Sequence, residues 1–238
     1  MTVASEAQSF PIPDVWTFDR EDISSIFDKH VREELPWYDI VTRAIRQIAR
    51  HYITEGGLVY DVGASTGNIG RAIGDIVTSR KARFIAVEKS KEMAKQYKAV
   101  GELLVQDALN VTFENADLII CYLILMFLGP EEKTKLTRKL MASLKDGGAL
   151  VIVDKRVAEN GYIGTVLSRL TLSEKLNSGV VPERIISKEL SLAGVQRPMR
   201  PEDVPKNAVE FFRFGEFSGW IVENNKVMAT DALGTAET

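Results

Sequence analysis

The sequence has little of several residue types that particular classes of protein require. It contains one cysteine, Cys121, and two histidines, His30 and His51. A single cysteine excludes an intrachain disulfide framework and a cysteine-rich zinc cluster. Two histidines leave little material for another kind of metal site, and helical patterning places His30 on the polar side of its helix. We therefore expect no metal, and the cysteine content agrees with a reducing, cytoplasmic location.

Long apolar runs and a bias of charge are also missing. The longest apolar run, residues 118–128, is much shorter than the roughly 20 residues that a membrane-spanning helix needs. The first residues do not combine a basic segment with an apolar stretch, so no secretory signal is expected. A net charge of −3 gives no broad basic field for nucleic acid, although it leaves room for a local basic patch.

The composition and length of the chain are typical of an ordinary globular protein with one large domain. Apolar residues make up 45% and charged residues 26% of the 238 positions. A chain of this length buries roughly 70–75% of its unfolded surface, so no disulfide or metal is needed to hold the fold together.

Apolar strand patterns alternate with helical patterns through the middle of the chain. Strands are predicted at 58–62, 84–87, 103–105, 118–122 and 149–154, and helices at 68–78, 91–100 and 131–144. Nearly continuous apolar strands separated by helices indicate a parallel sheet covered on both faces. The predicted fold is therefore α/β, Rossmann-like, with a mostly parallel sheet.

The two ends of the chain have a different character. Residues 1–20 predict an extended arm, and two amphipathic helices within 21–54 precede the first strand. The single domain is predicted to span residues 21–224, with a helical insertion at 160–206 that holds helices at 162–176 and 182–192. A strand pair around Gly215 and Gly219 follows, and residues 225–238 predict a mobile tail.

The clearest indication of chemistry is Asp61-x-Gly63-x-x-x-Gly67 at the end of the first strand. Open α/β sheets bind ligands at the carboxyl ends of their strands. Gly63 lets the backbone approach a ligand, and the helix that begins near Asn68 presents free N–H groups to an anion such as a carboxylate. The spacing differs from the Gly-x-Gly-x-x-Gly and Gly-Lys-Ser/Thr motifs, which disfavours NAD and ATP.

Two more acids follow later strands. Glu88 ends the second strand, where a carboxylate can accept both hydroxyls of a ribose, and Asp107 follows the third strand. The glycine loop, Glu88 and Asp107 come in an order that suits an amino-acid moiety, a ribose and an adenine edge. S-adenosylmethionine (SAM) carries all three groups.

Residues 59–67, VYDVGASTG, together with Glu88, Asp107 and the LKDGG of residues 144–148, resemble class I SAM-dependent methyltransferases. Within that superfamily, most of the chain is similar to the carboxy-SAM synthases of the tRNA wobble-uridine pathway. The stretches that carry this second resemblance are 16–19, 35–38, 59–61, 127–128 and 147–151. The resemblance implies an antiparallel last strand, SAM as the cofactor and a homodimer.

The resemblance also supplies candidate cofactor contacts. A tyrosine of the N-terminal helices covers the SAM site in that family, and Tyr38 matches its position. A strand-four asparagine of the family corresponds to Tyr122. The full set of candidate cofactor-binding residues is Tyr38, Asp61, Gly63, Ala64, Gly67, Glu88, Lys89, Asp107, Ala108 and Tyr122.

One departure from the family concerns its carboxylate-binding arginine, which aligns with Glu189. An anion at that place would repel the carboxylate of a carboxylated cofactor. Arg184 or Arg197 could replace the arginine if the alignment shifts. Basic residues of this region, Lys188 among them, alternate with acids and predict a mixed solvated surface.

Three functions agree with these observations. The first is methyl transfer from SAM to an unidentified small-molecule or nucleic-acid acceptor, without an assigned catalytic residue. The second is carboxy-SAM synthesis from SAM and prephenate, which Glu189 disfavours. The third is a SAM-binding regulatory module without catalysis. The sequence lacks the Asn/Asp-Pro-Pro-Tyr/Phe and Pro-Cys motifs of DNA base methylation after the fourth strand.

Overall fold

A computed structural model describes residues 11–225, which are built around one seven-stranded sheet of order β3-β2-β1-β4-β5-β7-β6. The first five strands pair in parallel, and β7 runs antiparallel to both β5 and β6. This confirms the predicted fold class. The strands are β1 (Leu58–Val62), β2 (Arg83–Glu88), β3 (Glu102–Val105), β4 (Ala116–Tyr122), β5 (Leu144–Lys155), β6 (Val209–Phe214) and β7 (Phe217–Glu223).

Helices cover both faces of the sheet because successive residues of a buried strand point to opposite sides. Leu118 and Ile120 of β4 face a cluster that includes α3 and α4, whereas Ile119 and Cys121 face a cluster that includes α6. Cys121 is buried, as its apolar surroundings predict. The helices are α1 (Glu21–Ser24), α2 (Phe27–Glu34), α3 (Tyr38–Tyr52), α4 (Asn68–Ser79), α5 (Lys91–Lys95), α6 (Pro130–Ala142), α7 (Gly161–Asn177) and α8 (Pro182–Ser191).

Several predicted element bounds were wrong. The first N-terminal helix is two helices, because the chain turns at residues 25–26 between α1 and α2. The predicted helix 91–100 ends at Lys95, where the chain turns so that Tyr97 and Ala99 lie against α4. A Cβ atom at Gly70 of α4 would lie 2.8 Å from that of Ala99, so this contact needs a glycine.

The strand predictions needed two further corrections. Strand β5 begins at Leu144 rather than 149, because Leu144 already pairs with Ala116 before the register shifts. Gly219 lies inside β7, where it pairs with Val153, and only Gly215 lies in the turn between β6 and β7.

The segments outside the sheet differ in how far the structure describes them. Residues 11–20 of the predicted arm contain no helix or strand, and the Trp16 N–H donates to the Ser191 carbonyl at 2.8 Å. The rest of the arm, and the predicted tail beyond Asn225, lie outside the described residues. Within residues 11–225, no helix is both long enough and apolar enough to cross a membrane.

One buried carboxylate, that of Asp117, ties the beginning of β1 to β4. It accepts hydrogen bonds from Thr54 Oγ1 at 2.6 Å, the Leu58 N–H at 2.6 Å and Lys145 Nζ at 3.0 Å. Burial alone would raise the pKa of Asp117, but these three donors outweigh it and hold the pKa below its ordinary value of 3.8. The carboxylate form is therefore the one that stabilises the fold.

We predict that Asp117→Ala lowers the free energy of unfolding by about 2–3 kcal/mol at pH 7, because the buried Leu58 N–H loses its acceptor. Urea unfolding measures the loss. The pKa of Asp117 is lower in the folded protein than in the unfolded chain. The difference in stability between wild type and variant should therefore have its full size above pH 3.8 and become smaller as the pH falls below that value.

The matched control for this variant is Glu114→Ala, which removes an exposed ion pair with Arg83. We expect that change to cost less than about 1 kcal/mol. Equal losses for the two variants would contradict the role given to Asp117.

Candidate functional site

The loop after β1 is fixed by close backbone contacts. The N–H groups of Gly63 and Ala64 both donate to the Val87 carbonyl, at 2.8 and 3.0 Å, which ties the loop to the end of β2. Gly63 has a φ of 77°, and a Cβ atom there would lie 2.7 Å from Ile124 Cδ1 in the loop after β4. Both observations require glycine, so this loop forms one narrow wall of the site.

Gly67 has a different place from Gly63. It is the N-cap residue of α4 with a left-handed φ of 91°, and a Cβ atom there would lie 2.9 Å from the Ala99 Cβ. Gly67 therefore shapes the turn from the loop into α4.

Glu88 joins the loops that follow β1 and β2. Its two carboxylate oxygens accept from the Ser65 N–H at 2.8 Å and the Ser90 N–H at 2.7 Å. Burial raises the pKa of Glu88, although these two hydrogen bonds favour the charged form. Each oxygen can accept a further hydrogen bond, so the carboxylate can receive the two hydroxyls of a ribose.

Asp61 lies beneath the glycine loop and has an unused acceptor. Its Oδ2 atom is buried and has no hydrogen-bond partner among the described residues. Complete burial, reinforced by the nearby charge of Glu88, raises the pKa of Asp61 to about 8. An orphaned acid at this position suits a donor group brought by a ligand, such as an ammonium.

Asp107 and Ala108 close the opposite end of the site. Asp107 Oδ1 accepts from the Leu109 N–H at 2.9 Å, which fixes the loop after β3, and Ala108 is buried beside it. The adjacent apolar surface and the free carboxylate oxygen suit the face and the amino edge of an adenine.

Tyr38 and Tyr122 stack against each other with ring centroids 4.8 Å apart and planes 13° from parallel. The Tyr122 hydroxyl donates to the Tyr38 carbonyl at 2.9 Å. This pair joins the end of β4 to the first turn of α3, so the N-terminal helices form the roof of the site.

These side chains surround one cavity of about 460 Å³, a size typical of small-molecule sites. Of the ten candidate cofactor-binding residues, all except Gly67 line it. Ser65, Asn68 and Gln106 also line it but were not among the candidates. Their proximity to Gly63, Gly67 and Asp107 in sequence could have indicated them.

The same cavity is also lined by residues of α2, α7, α8 and the end of β5, and we call this part of it the lysine chamber. Its basic and acidic members are Lys155, Lys175, Lys188, His30, Glu34, Glu189 and Glu216. None of them was a sequence-based candidate for cofactor binding. The chamber is formed where α2, α7, α8 and the end of β5 meet.

Ion pairs organise most of the lysine chamber. Lys175 Nζ lies 3.2 Å from both Glu34 Oε2 and Glu189 Oε1. Lys155 Nζ lies 3.0 Å from Gln196 Oε1 and 3.8 Å from Glu216 Oε2. Although burial opposes it, Lys155 and Lys175 hold the pKa of Glu189 below its ordinary value.

Lys188 is the exception in this chamber. It is buried, its ammonium lies over the Trp16 ring and 3.5 Å from His30 Nε2, and it forms no ion pair with an acid of residues 11–225. Burial, together with Lys175 and Arg184, lowers the pKa of Lys188 to about 6. Burial, together with Lys188, Arg184 and Lys175, lowers the pKa of His30 to about 3, so His30 is neutral at neutral pH.

These positions correct three sequence-based expectations. Lys188 is buried and does not belong to a solvated surface, and His30 is also buried. Neither Arg184 nor Arg197 lines the cavity, so neither takes the place of the family arginine there. Glu189 lines it as expected, but Lys175 compensates its charge.

Lys188 could have been found from the sequence. Ile185, Lys188 and Leu192 recur at helical spacing, and all three are buried. A lysine on the apolar side of an amphipathic helix is either paired or part of a site.

The sheet order and the cavity at the carboxyl ends of β1, β2 and β4 are those of the class I SAM-dependent methyltransferase fold. Residues 59–148 match the family model described as a methyltransferase domain. The chain is accordingly a SAM-dependent transferase with S-adenosylmethionine as its cofactor.

Within this class, the chain is similar to proteins named carboxy-S-adenosyl-L-methionine synthase. One from Staphylococcus epidermidis is 27% identical over 220 residues, which cover 90% of this chain and 96% of that protein. Another, from Shewanella piezotolerans, is 29% identical over 209 residues, which cover 83% of this chain and 85% of that protein.

Solved structures show the same fold. Magnesium protoporphyrin IX methyltransferase from Synechocystis, with bound S-adenosylhomocysteine, has a TM-score of 0.51 and 15% identity, covering 79% of this chain and 83% of that one. An S-adenosylmethionine-dependent methyltransferase from Clostridium acetobutylicum has a TM-score of 0.52 and 12% identity, covering 84% and 99%.

The residues of the cavity fit SAM. The orphaned Asp61 Oδ2 atom suits the ammonium of its amino-acid part, Glu88 its ribose and Asp107 its adenine. Gly63 leaves the space that a side chain would fill.

We predict that Gly63→Arg and Glu88→Ala each weaken SAM binding at least tenfold, which is about 1.4 kcal/mol. The arginine side chain occupies the space beside Ile124 that the cofactor needs. The alanine removes the carboxylate that accepts hydrogen bonds from the ribose hydroxyls and from the Ser65 N–H. Isothermal titration with SAM measures both effects.

Glu102→Ala is the control, because Glu102 is an exposed glutamate on the neighbouring strand β3. Circular dichroism verifies that all three variants fold. Unchanged SAM affinity in both site variants would disprove the assignment of this cavity.

Proposed function

We propose that this SAM-dependent transferase acts with a small carboxylic acid, which binds in the lysine chamber. The observation that carries the proposal is Lys188, a buried lysine on the cavity wall without an acidic partner among the described residues. A carboxylate supplies the partner that the other two lysines of the chamber already have. Because it stabilises the charged amine, its binding draws a proton onto Lys188.

The shape and charge of the chamber favour a small molecule over nucleic acid. Its lysines alternate with Glu34, Glu189 and Glu216, which would repel a phosphate backbone. The N-terminal helices and α7 and α8 enclose it, and its apolar wall includes Phe27, Leu172, Leu192 and Phe217. A compact acid with an apolar body fits such a wall.

The leading reaction is methyl transfer to this acid. When bound, SAM supplies an electrophilic methyl group on its sulfonium. Lys188 holds the carboxylate of the acceptor in the cavity that also receives the cofactor. Alignment within a closed site supplies much of the rate enhancement in such a transfer, so no general base is assigned.

A second candidate reaction is carboxy-SAM synthesis, in which SAM and prephenate react. The relatives named carboxy-S-adenosyl-L-methionine synthase, which match the chain over nearly its whole length, favour it. Glu189 argues against it less than its sequence position suggests, because Lys175 compensates its charge and the neighbouring Lys188 becomes charged when a carboxylate binds. A link to tRNA modification rests on this candidate alone.

The test follows SAM by mass spectrometry in the presence and absence of added acids, prephenate among them. We expect an added acid to be required for turnover. S-adenosylhomocysteine and a methylated acid identify methyl transfer, and carboxy-SAM identifies the second reaction. Lys188→Met should lower turnover at subsaturating acid at least tenfold while leaving SAM affinity unchanged.

The control is Lys135→Met, which alters an exposed lysine of α6. Turnover that is indifferent to Lys188→Met contradicts the proposed acid site. Tight SAM binding without turnover of any added acid, prephenate included, instead favours a regulatory SAM-binding module.

We further propose that the protein forms a homodimer through α7. Only Gly164 and Lys175 of this helix are buried, whereas Tyr162, Ile163, Val166 and Leu170 are 40–77% exposed. These four residues lie on one side of α7 and form an exposed apolar stripe. A two-fold axis would place the stripe against its own copy, which needs no complementary surface elsewhere.

Light scattering on the purified protein should give twice the chain mass of 26.5 kDa. Leu170→Glu should yield monomers, because it buries a charge in the proposed interface. Val105→Glu, at an exposed valine on edge strand β3, is the control and should remain dimeric. A monomeric wild type would refute the proposal.

A further inference from the structure

Glu34 has a carboxylate oxygen that nothing in the described chain satisfies. The residue is 7% exposed at the end of α2 and lines the lysine chamber. Its Oε2 atom lies 3.2 Å from Lys175 Nζ, whereas its Oε1 atom is buried without a hydrogen-bond partner among residues 11–225. Half of this carboxylate is therefore available to a ligand.

Lys175 contacts only the Oε2 atom of Glu34, and Glu189 shares the same ammonium at 3.2 Å. Leaving a buried acceptor without a donor costs about 1–3 kcal/mol, and more for a charged group. Native proteins keep such a cost mainly where a ligand or an ordered water removes it. Glu34 Oε1 is thus an acceptor on the wall of a ligand cavity.

Glu34 also lies close to the proposed carboxylate-binding lysine. His30 and Glu34 are one helical turn apart on α2, and His30 Nε2 lies 3.5 Å from Lys188 Nζ. Glu34 is the acid with the largest favourable electrostatic effect on Lys188. The two side chains nevertheless form no ion pair with each other, so each can contact a different group of one ligand.

We infer that Glu34 and Lys188 together select a second substrate that carries both a carboxylate and a hydrogen-bond donor, a hydroxyl or an ammonium. Lys188 receives the carboxylate, and Glu34 Oε1 accepts from the donor. The apolar wall of the chamber receives the remainder of the molecule. The substrate class is therefore a hydroxy acid or amino acid with an apolar side chain. This inference rests on the proposed function.

Three acids of one size separate the possibilities: 3-phenylpropanoate without a donor, 3-phenyllactate with a hydroxyl and phenylalanine with an ammonium. Each is titrated calorimetrically into full-length protein saturated with S-adenosylhomocysteine. We expect at least one donor-bearing acid to bind at least tenfold more tightly than 3-phenylpropanoate.

The variants assign that preference to Glu34. Glu34→Ala should abolish it without weakening 3-phenylpropanoate binding more than about threefold. Glu34→Gln keeps a neutral acceptor, so it should preserve a preference for the hydroxyl and remove one for the ammonium. Glu33→Gln, which changes the adjacent, partly exposed glutamate paired with Lys29, should preserve either preference.

The outcomes separate this inference from the proposed function. Equal affinities for the three acids, all weakened by Lys188→Met, overturn the role of Glu34 and leave the proposed acid site in place. If none of the acids binds, the acid site and the role of Glu34 fall together. A donor preference that survives in folded Glu34→Ala protein also overturns the inference.

Discussion

The Glu88 carboxylate is the interaction on which the geometry of the site depends. Its hydrogen bonds to Ser65 and Ser90 join the loops at the ends of two neighbouring strands. Gly63 can then approach Ile124 so closely that no side chain fits between them. Those contacts set the depth of the cavity and leave Asp61 beneath it with an unused acceptor. A scaffold shared by many transferases thereby becomes a pocket for one cofactor.

Buried charge governs the other half of the cavity. Ion pairs compensate Lys175 and Glu189, whereas Lys188 forms no ion pair with an acid of residues 11–225 and Glu34 Oε1 has no hydrogen-bond partner there. A buried lysine without an acidic partner and a buried carboxylate oxygen without a donor both cost stability in the free protein. A ligand with matching groups recovers that free energy as affinity. The same unpaired groups, Lys188 and Glu34 Oε1, therefore lower the stability of the chamber and make it specific for the second substrate.

The sequence predicts the cofactor half far better than the lysine chamber. Asp61, Gly63 and Glu88 lie at the carboxyl ends of strands with a clear apolar pattern, and parallel topology brings those ends together. Lys188 stands among acids on a helix whose burial depends on Trp16 and α2, which lie far away in the chain. Helix α5 was predicted too long for a similar reason, since packing on α4 ends it. Contacts between distant segments decide these features, and local patterns do not contain them.

The most direct test of the account is a crystal structure of the protein with SAM and a donor-bearing acid such as 3-phenyllactate. The account predicts the ribose on Glu88, the amino group of the cofactor beside Asp61, and the acid between Lys188 and Glu34 with its carboxylate on the lysine. A cofactor outside the cavity, or an acid bound elsewhere while the lysine chamber stays filled only with water, would contradict it.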